Sequence, residues 1–192
     1  DFLQYFSNTD VSSLDVEYFN YESNLSSMRN KMRGWKQLRS CCFRNSCLNA
    51  ATVNWLSEYP TLKNIEIQHS RISASSLVGA KLLSQLRYLR LSNLVEDEAH
   101  KVPFQTDILL SDLGRATNLL QFELERLPLS EAGLKAICRH RAINRLKVSS
   151  HQWTVAELKM LDLAKQIRFI ELEYDDLGQA ERQYMLSLKP SL

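Results

Sequence analysis

An apolar pattern recurs seven times along this chain, and four of the six steps between successive copies are 24 residues. Each copy reads L-x-x-L-x-L and is followed five residues later by another apolar side chain. The copy that starts at Ile167 is the clearest, because Ile170, Leu172 and Leu177 fill its other positions. Of the 28 positions in this pattern only Glu96 is not apolar, when Tyr and Cys are counted as apolar. Such regularity restricts the chain to stacked, similar units, which begin at Val11, Leu38, Leu62, Leu86, Leu119, Ile143 and Ile167.

Each unit is predicted to fold as a strand followed by a short helix. With the first apolar residue as position one, positions four and six point to one side of a strand, because side chains alternate. Strands that are one unit apart pair in parallel, and parallel pairing requires a crossover, here a helix. Ser130 and Thr154, each ahead of an acidic residue, are predicted helix N-caps. Apolar pairs at positions 16 and 19 give the helix an inward face, as in Val53 with Leu56, Leu134 with Ile137, and Leu158 with Leu161.

A period between 20 and 29 residues is typical of leucine-rich repeats. The sequence therefore predicts an α/β solenoid, with a parallel sheet on the concave face and short helices on the convex face, as a single domain over residues 1–192. The step from Leu86 to Leu119 is 33 residues, so nine extra residues enter there, near 95–107. Such insertions are often binding loops, although a longer loop without a function is the alternative. Neither end has a polar cap, so we expect either that the chain is part of a longer array or that another domain or chain covers an end.

The composition argues against several classes of protein. The net charge of +2 is too small to indicate nucleic-acid binding by itself. The chain contains no apolar run of the roughly 20 residues that cross a membrane, and no signal-like segment at its start. Its four cysteines are too few and too clustered for a disulfide framework. We therefore predict a reduced intracellular protein, cytoplasmic or nuclear, that does not associate with membranes.

The sequence contains no recognisable catalytic, cofactor-binding or metal-binding motif. None of the four histidines stands at a metal-ligand spacing from another His or Cys. A glycine-rich phosphate loop and a G-x-S-x-G motif are also absent. Cys42 is predicted to point out of the sheet beside basic residues, which would make its thiol somewhat reactive. We predict that the protein is not an enzyme and that it uses no cofactor or metal.

Positions three, five and seven of each unit are predicted to point onto the concave side of the sheet. At position five the sign of the charge alternates on successive strands from Glu66 onward. Neighbouring strands lie about 4.8 Å apart, so these side chains can pair laterally. One interpretation is a solvated ladder of charges, and the other is a surface that binds a partner, since aromatic and arginine side chains dominate binding hot spots. The predicted partner-binding residues are Tyr88, Arg90, Arg145, Lys147, Phe169, Glu171 and Tyr174.

The segment between Glu22 and Glu58 contains six basic residues and no acidic ones. Met28, Met32 and Trp35 share one helical face, so we expect them to pack inward while the charges face water. The alternative is an RNA-binding surface whose basic side chains contact phosphates. The residues of this alternative nucleic-acid patch are Arg29, Lys31, Arg33, Lys36, Arg39 and Arg44.

The units resemble ribonuclease-inhibitor-like leucine-rich repeats, and are similar to the arrays of F-box/leucine-rich-repeat substrate receptors of ubiquitin ligases. The resemblance rests on the strand motifs and on segments such as Leu129–Ile137, and it extends from about Val11 to Leu188. The Asn or Cys that is usual at position nine is absent, and no F-box-like segment lies within these residues. The resemblance implies a non-catalytic module that binds a partner or substrate protein. The alternative is an RNA-binding module, which a resemblance to the leucine-rich repeats of messenger-RNA export factors implies.

Overall fold

The fold is a mixed α/β arrangement built on one parallel sheet. The computed structural model of the chain describes residues 11–97, 102–173 and 177–187. Within these residues the strands are β1 (Ser13–Glu17), β2 (Ser40–Arg44), β3 (Asn64–Gln68), β4 (Tyr88–Ser92), β5 (Val95–Asp97), β6 (Val102–Pro103), β7 (Gln121–Glu125), β8 (Arg145–Ser149) and β9 (Phe169–Leu172).

The main sheet contains seven strands in chain order, β1 to β4 followed by β7 to β9, and every pairing is parallel. Each of these strands begins two residues after a predicted unit start, which confirms the predicted strand positions. The register pairs equal positions of neighbouring units, so that Leu89 lies beside Ile65 on one side and Phe122 on the other. The apolar rows therefore stay aligned across the sheet, even between β4 and β7, where the step between units is 33 residues.

Helices form the second layer, and the predicted apolar pairs at positions 16 and 19 are buried in three of them. The predicted caps are also confirmed. The Ser130 side chain accepts a hydrogen bond from the backbone N–H of Gly133, and Thr154 forms a capping box with Glu157. Among the described residues the helices are α1 (Tyr21–Lys31), α2 (Ala50–Leu56), α3 (Lys81–Gln85), α4 (Thr106–Ser111), α5 (Glu131–Arg139), α6 (Val155–Leu163) and α7 (Gln179–Ser187).

The apolar core lies between the sheet and the helices. Inward side chains of the central strands, such as Phe43, are completely buried. Met28, Met32 and Trp35 are buried as well, so the prediction that they pack inward is confirmed. Burial of a large apolar side chain contributes about 1.5–3 kcal/mol. Exposure rises at β9, where Ile170 is 38% exposed, because this strand is paired on one side only.

The residue at position eight, directly after each strand, adopts a left-handed backbone conformation. Its φ lies between 47° and 60° in six units, and glycine occupies none of these positions. The conformation turns the chain out of the strand and costs roughly 1–2 kcal/mol for a residue with a side chain, less for Asn. Since it recurs in unit after unit, it belongs to the repeat itself and does not mark one functional site. The residues are Tyr18, Asn45, His69, Asn93, Arg126 and Ser150.

Serine side chains replace the expected Asn or Cys at position nine of two units. Ser46 Oγ donates to the carbonyl oxygen of Arg44 (2.7 Å) and accepts the N–H of Phe19 (3.1 Å). Ser70 repeats this arrangement, donating to the carbonyl oxygen of Gln68 (2.6 Å) and accepting the N–H of Ser46 (3.0 Å). Each buried serine closes its own turn and ties it to the preceding unit. These bonds explain how the array tolerates the missing residue type.

The fourth unit carries the predicted insertion, and an antiparallel pairing of β5 with β6 forms there. Glu96, the exception to the apolar pattern, lies in β5 and connects this strand to two other segments of the chain. One of its carboxylate oxygens accepts the backbone N–H groups of Ala74 (3.1 Å) and Gln105 (3.2 Å). Ala74 begins a 3-10 turn in the preceding unit, and Gln105 is the N-cap residue of α4. Two backbone donors thus converge where the other units place an apolar contact. Residues 98–101 of the insertion lie outside the described residues.

Candidate functional site

The surface of the main sheet that is opposite the helices is here called the sheet face, and positions three and five of each strand point to it as predicted. Tyr88 and Arg90 are half-buried on this face, whereas Leu89 between them is buried in the core. Position seven departs from the prediction in two units, because Ser92 and Ser149 are buried. Tyr174 lies outside the described residues. The other predicted partner-binding residues all belong to strands of the sheet face: Tyr88, Arg90, Arg145, Lys147, Phe169 and Glu171.

Arg90 lies in the middle of the sheet face and contacts three carboxylates. Its Nη2 donates a hydrogen bond to Glu125 Oε2 (2.8 Å). Ion pairs of 3.8 Å and 3.7 Å join it to Glu66 and Glu123 on the two flanking strands. The hydrogen bond to Glu125 raises the pKa of Arg90 and lowers the pKa of Glu125. These four residues form what we call the central cluster, and they confirm the predicted lateral pairing around Arg90.

Tyr88 and two glutamines add to the central cluster. Burial raises the pKa of Tyr88 well above its usual value, and the charges of Glu123 and Glu66 raise it further. Gln121 Nε2 donates to Glu123 Oε1 (2.6 Å), and Gln68 Nε2 donates to Glu66 Oε2 (2.7 Å). The polar groups in the middle of the sheet face therefore bond one another, which holds them in place before any partner arrives.

The part of the sheet face formed by β8 and β9 is more exposed. Phe169 is 65% exposed and lies in register beside Arg145, which is also exposed. Arg145 helps to lower the pKa of Glu171, but it makes no ion pair within the described ranges. Lys147 donates a hydrogen bond to Glu171, which raises the pKa of Lys147 and lowers that of Glu171. An exposed ring beside an arginine has the composition of a binding hot spot.

The predicted partner-binding residues thus fall into two groups. Tyr88 and Arg90 belong to the network in the middle of the sheet, and the remaining four lie together on β8 and β9. Sequence reasoning missed Glu125, which makes the shortest contact to Arg90. A usable signal existed, because Glu125 stands two residues after Glu123 and so points to the same face. Positions five and seven of a strand both face the same side, so Glu125 could have been predicted as a neighbour of Arg90.

The alternative nucleic-acid patch is not gathered on one surface. Arg44 ends β2 on the sheet face and bonds Asp15 of the neighbouring strand. Arg29, in α1, bonds Glu58, which directly follows the C-cap residue of α2. Both acidic partners come from outside the acid-free segment, so spacing along the chain could not indicate them. The other four patch residues lie in α1 or between α1 and β2: Lys31, Arg33, Lys36 and Arg39.

The described residues give no geometric support for catalysis. No group of three or more His, Cys, Asp or Glu able to hold a metal ion is found in the ranges that the structure describes. The prediction of a reactive Cys42 is wrong, because burial raises its pKa to about 11 and outweighs the lowering effect of Arg44. All four cysteines are free. Among the described helices, none is both long enough and apolar enough to cross a membrane.

Comparisons with known proteins identify the fold and not a family. No protein-family description matches the sequence, and no curated protein does. Among solved structures, the chain is similar to an internalin (inlF) from Listeria monocytogenes, with a TM-score of 0.52 and 15% identity. The similarity covers 86% of this chain and 48% of that one, so this chain spans about half the length of the internalin structure. This likeness and the parallel sheet of seven strands support a leucine-rich repeat fold, but they do not show a ribonuclease-inhibitor-like or F-box-associated type.

Proposed function

We propose that the protein is a non-catalytic protein-interaction module and that the sheet face is its binding surface. The observation that carries the proposal is the exposed Phe169 in register beside the exposed Arg145, on a face that no described helix covers. Aromatic rings and arginines anchor protein interfaces because they bury a large area and make directed polar contacts. Lys147 and Glu171 border this pair, and Tyr88 and Arg90 extend the surface toward β4. Tyr174 remains a prediction.

A further part of the proposal is that the units form a curved solenoid with the sheet on its concave side. Neighbouring strands lie about 4.8 Å apart, whereas packed helices need about 8–10 Å between their axes. The helix layer is therefore wider per unit than the sheet, and the array bends toward the sheet. The likeness to the internalin structure supports this arrangement. A concave sheet offers an extended surface that can surround part of a partner.

We also propose that residues 1–192 act as a single repeat domain that binds the partner or substrate for a larger intracellular protein, as in ubiquitin-ligase receptors. The continuous seven-stranded sheet supports a single domain. The four free cysteines support a reducing compartment. The partial exposure of Ile170 supports a cover over this end of the sheet by another domain or chain. The ubiquitin-ligase role rests on the resemblance of the repeats alone.

Protein capture with matched variants tests the binding surface. The immobilised chain and its Arg145→Ala/Phe169→Ala variant are incubated with cell extract, and the retained proteins are quantified by mass spectrometry. The control variant is Arg139→Ala/Leu163→Ala, which removes an exposed arginine and an exposed apolar side chain from α5 and α6 on the helix layer. We expect a set of proteins to be lost with the sheet-face variant and kept with the control. Equal recovery of every protein would reject the sheet face as the binding surface.

A further inference from the structure

The sheet face and the whole molecule carry opposite net charge. The complete chain has a net charge of +2. On the sheet face, however, the strands place six acidic and four basic side chains, which gives a net charge of −2. The acidic residues are Asp15, Glu17, Glu66, Glu123, Glu125 and Glu171, and the basic residues are Arg44, Arg90, Arg145 and Lys147.

The basic side chains of the sheet face are mostly engaged with carboxylates of the same face. Arg44 bonds Asp15, and Lys147 bonds Glu171. Arg90 is shared among the three carboxylates of the central cluster. Of the four, only Arg145 lacks an ion pair within the described part of the chain. Among the described residues of this face, an acidic partner would therefore find one cation that is not already in an ion pair.

The central cluster holds a surplus of negative charge that is already partly removed from water. It contains three carboxylates and one guanidinium, and the exposed fractions of the Glu66, Glu123 and Glu125 side chains are 28%, 13% and 25%. Partial burial lowers the local dielectric, so a cation that approaches these carboxylates is attracted more strongly than it would be in bulk water. Folding has already removed part of the water around these carboxylates, so binding requires less further desolvation of them. The cluster is therefore complementary to a positive group.

We infer that the partner of the sheet face is a protein segment rich in lysine or arginine, whose charged side chains lie over the central cluster. This inference rests on the proposed function, because it assumes that the sheet face binds a partner at all. The aliphatic stems of long basic side chains suit the exposed ring of Phe169 at the end of the same face. Phosphate groups of RNA would meet the surplus carboxylates and be repelled, so this face fits a basic protein segment better than a nucleic acid.

Two fluorescent peptides of equal length, one alternating Lys with Ser and the other Glu with Ser, are the probes for this inference. Their binding to the purified chain is measured by fluorescence anisotropy at low and at high salt. We expect the Lys peptide to bind at least about tenfold more tightly than the Glu peptide at low salt, and to weaken as salt screens the charges. Equal binding of the two peptides would overturn the inference.

Variants that remove two charges show where the Lys peptide binds. We expect Glu66→Gln/Glu125→Gln, which keeps hydrogen-bond acceptors in the central cluster, to lower affinity about tenfold. Glu58→Gln/Glu131→Gln changes the net charge equally at two exposed positions away from the sheet face, and we expect a change of less than about twofold. Equal losses in both variants would show that the peptide senses only net charge, which contradicts a site on the sheet face. Thermal unfolding confirms beforehand that both variants are folded.

The failure of this inference differs from the failure of the proposed function. The proposed function fails when Arg145→Ala/Phe169→Ala retains every captured protein. The inference alone fails when that variant loses partners but Glu66→Gln/Glu125→Gln captures them as well as the unmodified chain. Both are supported when the two sheet-face variants lose the same partners and the recovered segments are basic.

Discussion

Replacing Arg90 by methionine removes the single positive charge from the central cluster. The hydrogen bond from Arg90 to Glu125 is 2.8 Å long, and a bond to a charged group contributes about 1.5–3 kcal/mol. The ion pairs to Glu66 and Glu123, at 3.8 Å and 3.7 Å, add about 0.5 kcal/mol each. Side-chain exposure in the cluster is at most 30%, so solvent screens these interactions only in part. The three contacts together contribute about 2.5–4 kcal/mol before screening, and partial screening by solvent reduces the expected loss of unfolding free energy in Arg90→Met to about 2–3 kcal/mol at neutral pH.

The pH dependence of this loss distinguishes an electrostatic cause from a packing cause. Arg90 lowers the pKa of Glu125 in the folded protein. Such a group stabilises the fold at pH values above its unfolded pKa of about 4.3, and this contribution is lost as pH falls through the lower folded pKa. In the variant, Arg90 no longer lowers the pKa of Glu125, so this stabilising contribution is absent at neutral pH. The difference between the two proteins should therefore shrink from neutral pH to about pH 4.

Urea unfolding followed by circular dichroism at both pH values measures this difference. The matched control is Arg145→Met, an identical substitution on the same face at an exposed arginine with no ion pair in the described ranges. We expect it to change stability by less than about 0.5 kcal/mol. An equal loss in the two variants, or an Arg90→Met loss that does not change with pH, would refute the electrostatic reasoning.

Four further predictions concern other parts of the molecule. Arg126→Asn replaces an exposed arginine whose backbone is left-handed, with φ 53°, by a residue that tolerates this conformation better. The fold should gain about 0.5–1 kcal/mol, measured by thermal unfolding. Unchanged or lower stability would argue against strain at position eight. Glu96→Ala leaves two backbone N–H groups without their acceptor, so stability should fall by about 1–3 kcal/mol. Amide hydrogen exchange at Ala74 and Gln105 should accelerate, whereas exchange at Ser46, the control position, should not change. His140 Nδ1 accepts the N–H groups of Ala142 (3.3 Å) and Ile143 (3.2 Å), and burial lowers the pKa of His140. Stability should therefore fall as pH drops below about 6.5 toward the lower folded pKa, and His140→Gln should abolish this part of the pH dependence; identical pH profiles would contradict it. For the RNA alternative, binding to single-stranded RNA is measured across salt concentrations. The patch would be supported if binding declines steeply with salt and is lost in Arg33→Glu/Lys36→Glu. Absence of binding at low salt would exclude it.

The strands and the inward faces of three helices could be predicted because they follow from periodicity. Each main strand begins two residues after a predicted unit start, and the pair Leu134 and Ile137 is buried as expected. Side-chain alternation in a strand and the 3.6-residue turn of a helix are local geometric properties, so spacing reveals them directly. The outward direction of Tyr88 and Arg90 followed from the same alternation. Whether the sheet face binds a partner stays a prediction.

The contacts of the candidate site could not be predicted in the same way. The Cys42 thiol was expected to be reactive because basic residues are close in sequence, but its burial has the larger effect on its pKa. The acid-free segment suggested free positive charge, yet Asp15 and Glu58 from neighbouring units bond two of its arginines. The partners in both of these ion pairs are separated by about one unit along the chain, so a local reading of charge overlooks them.

The sequence by itself determined the architecture, because an apolar pattern that recurs in unit after unit can be buried throughout only when equal positions of successive units lie side by side. Tertiary structure alone decided which charges remain available on the surface. Arg90 meets Glu66 from one neighbouring strand and Glu123 and Glu125 from the other, whereas Arg145 has an exposed ring beside it and no carboxylate in ion-pair contact within the described residues. Electrostatic energy depends on distance and burial in space, and neither quantity can be read from the order of residues.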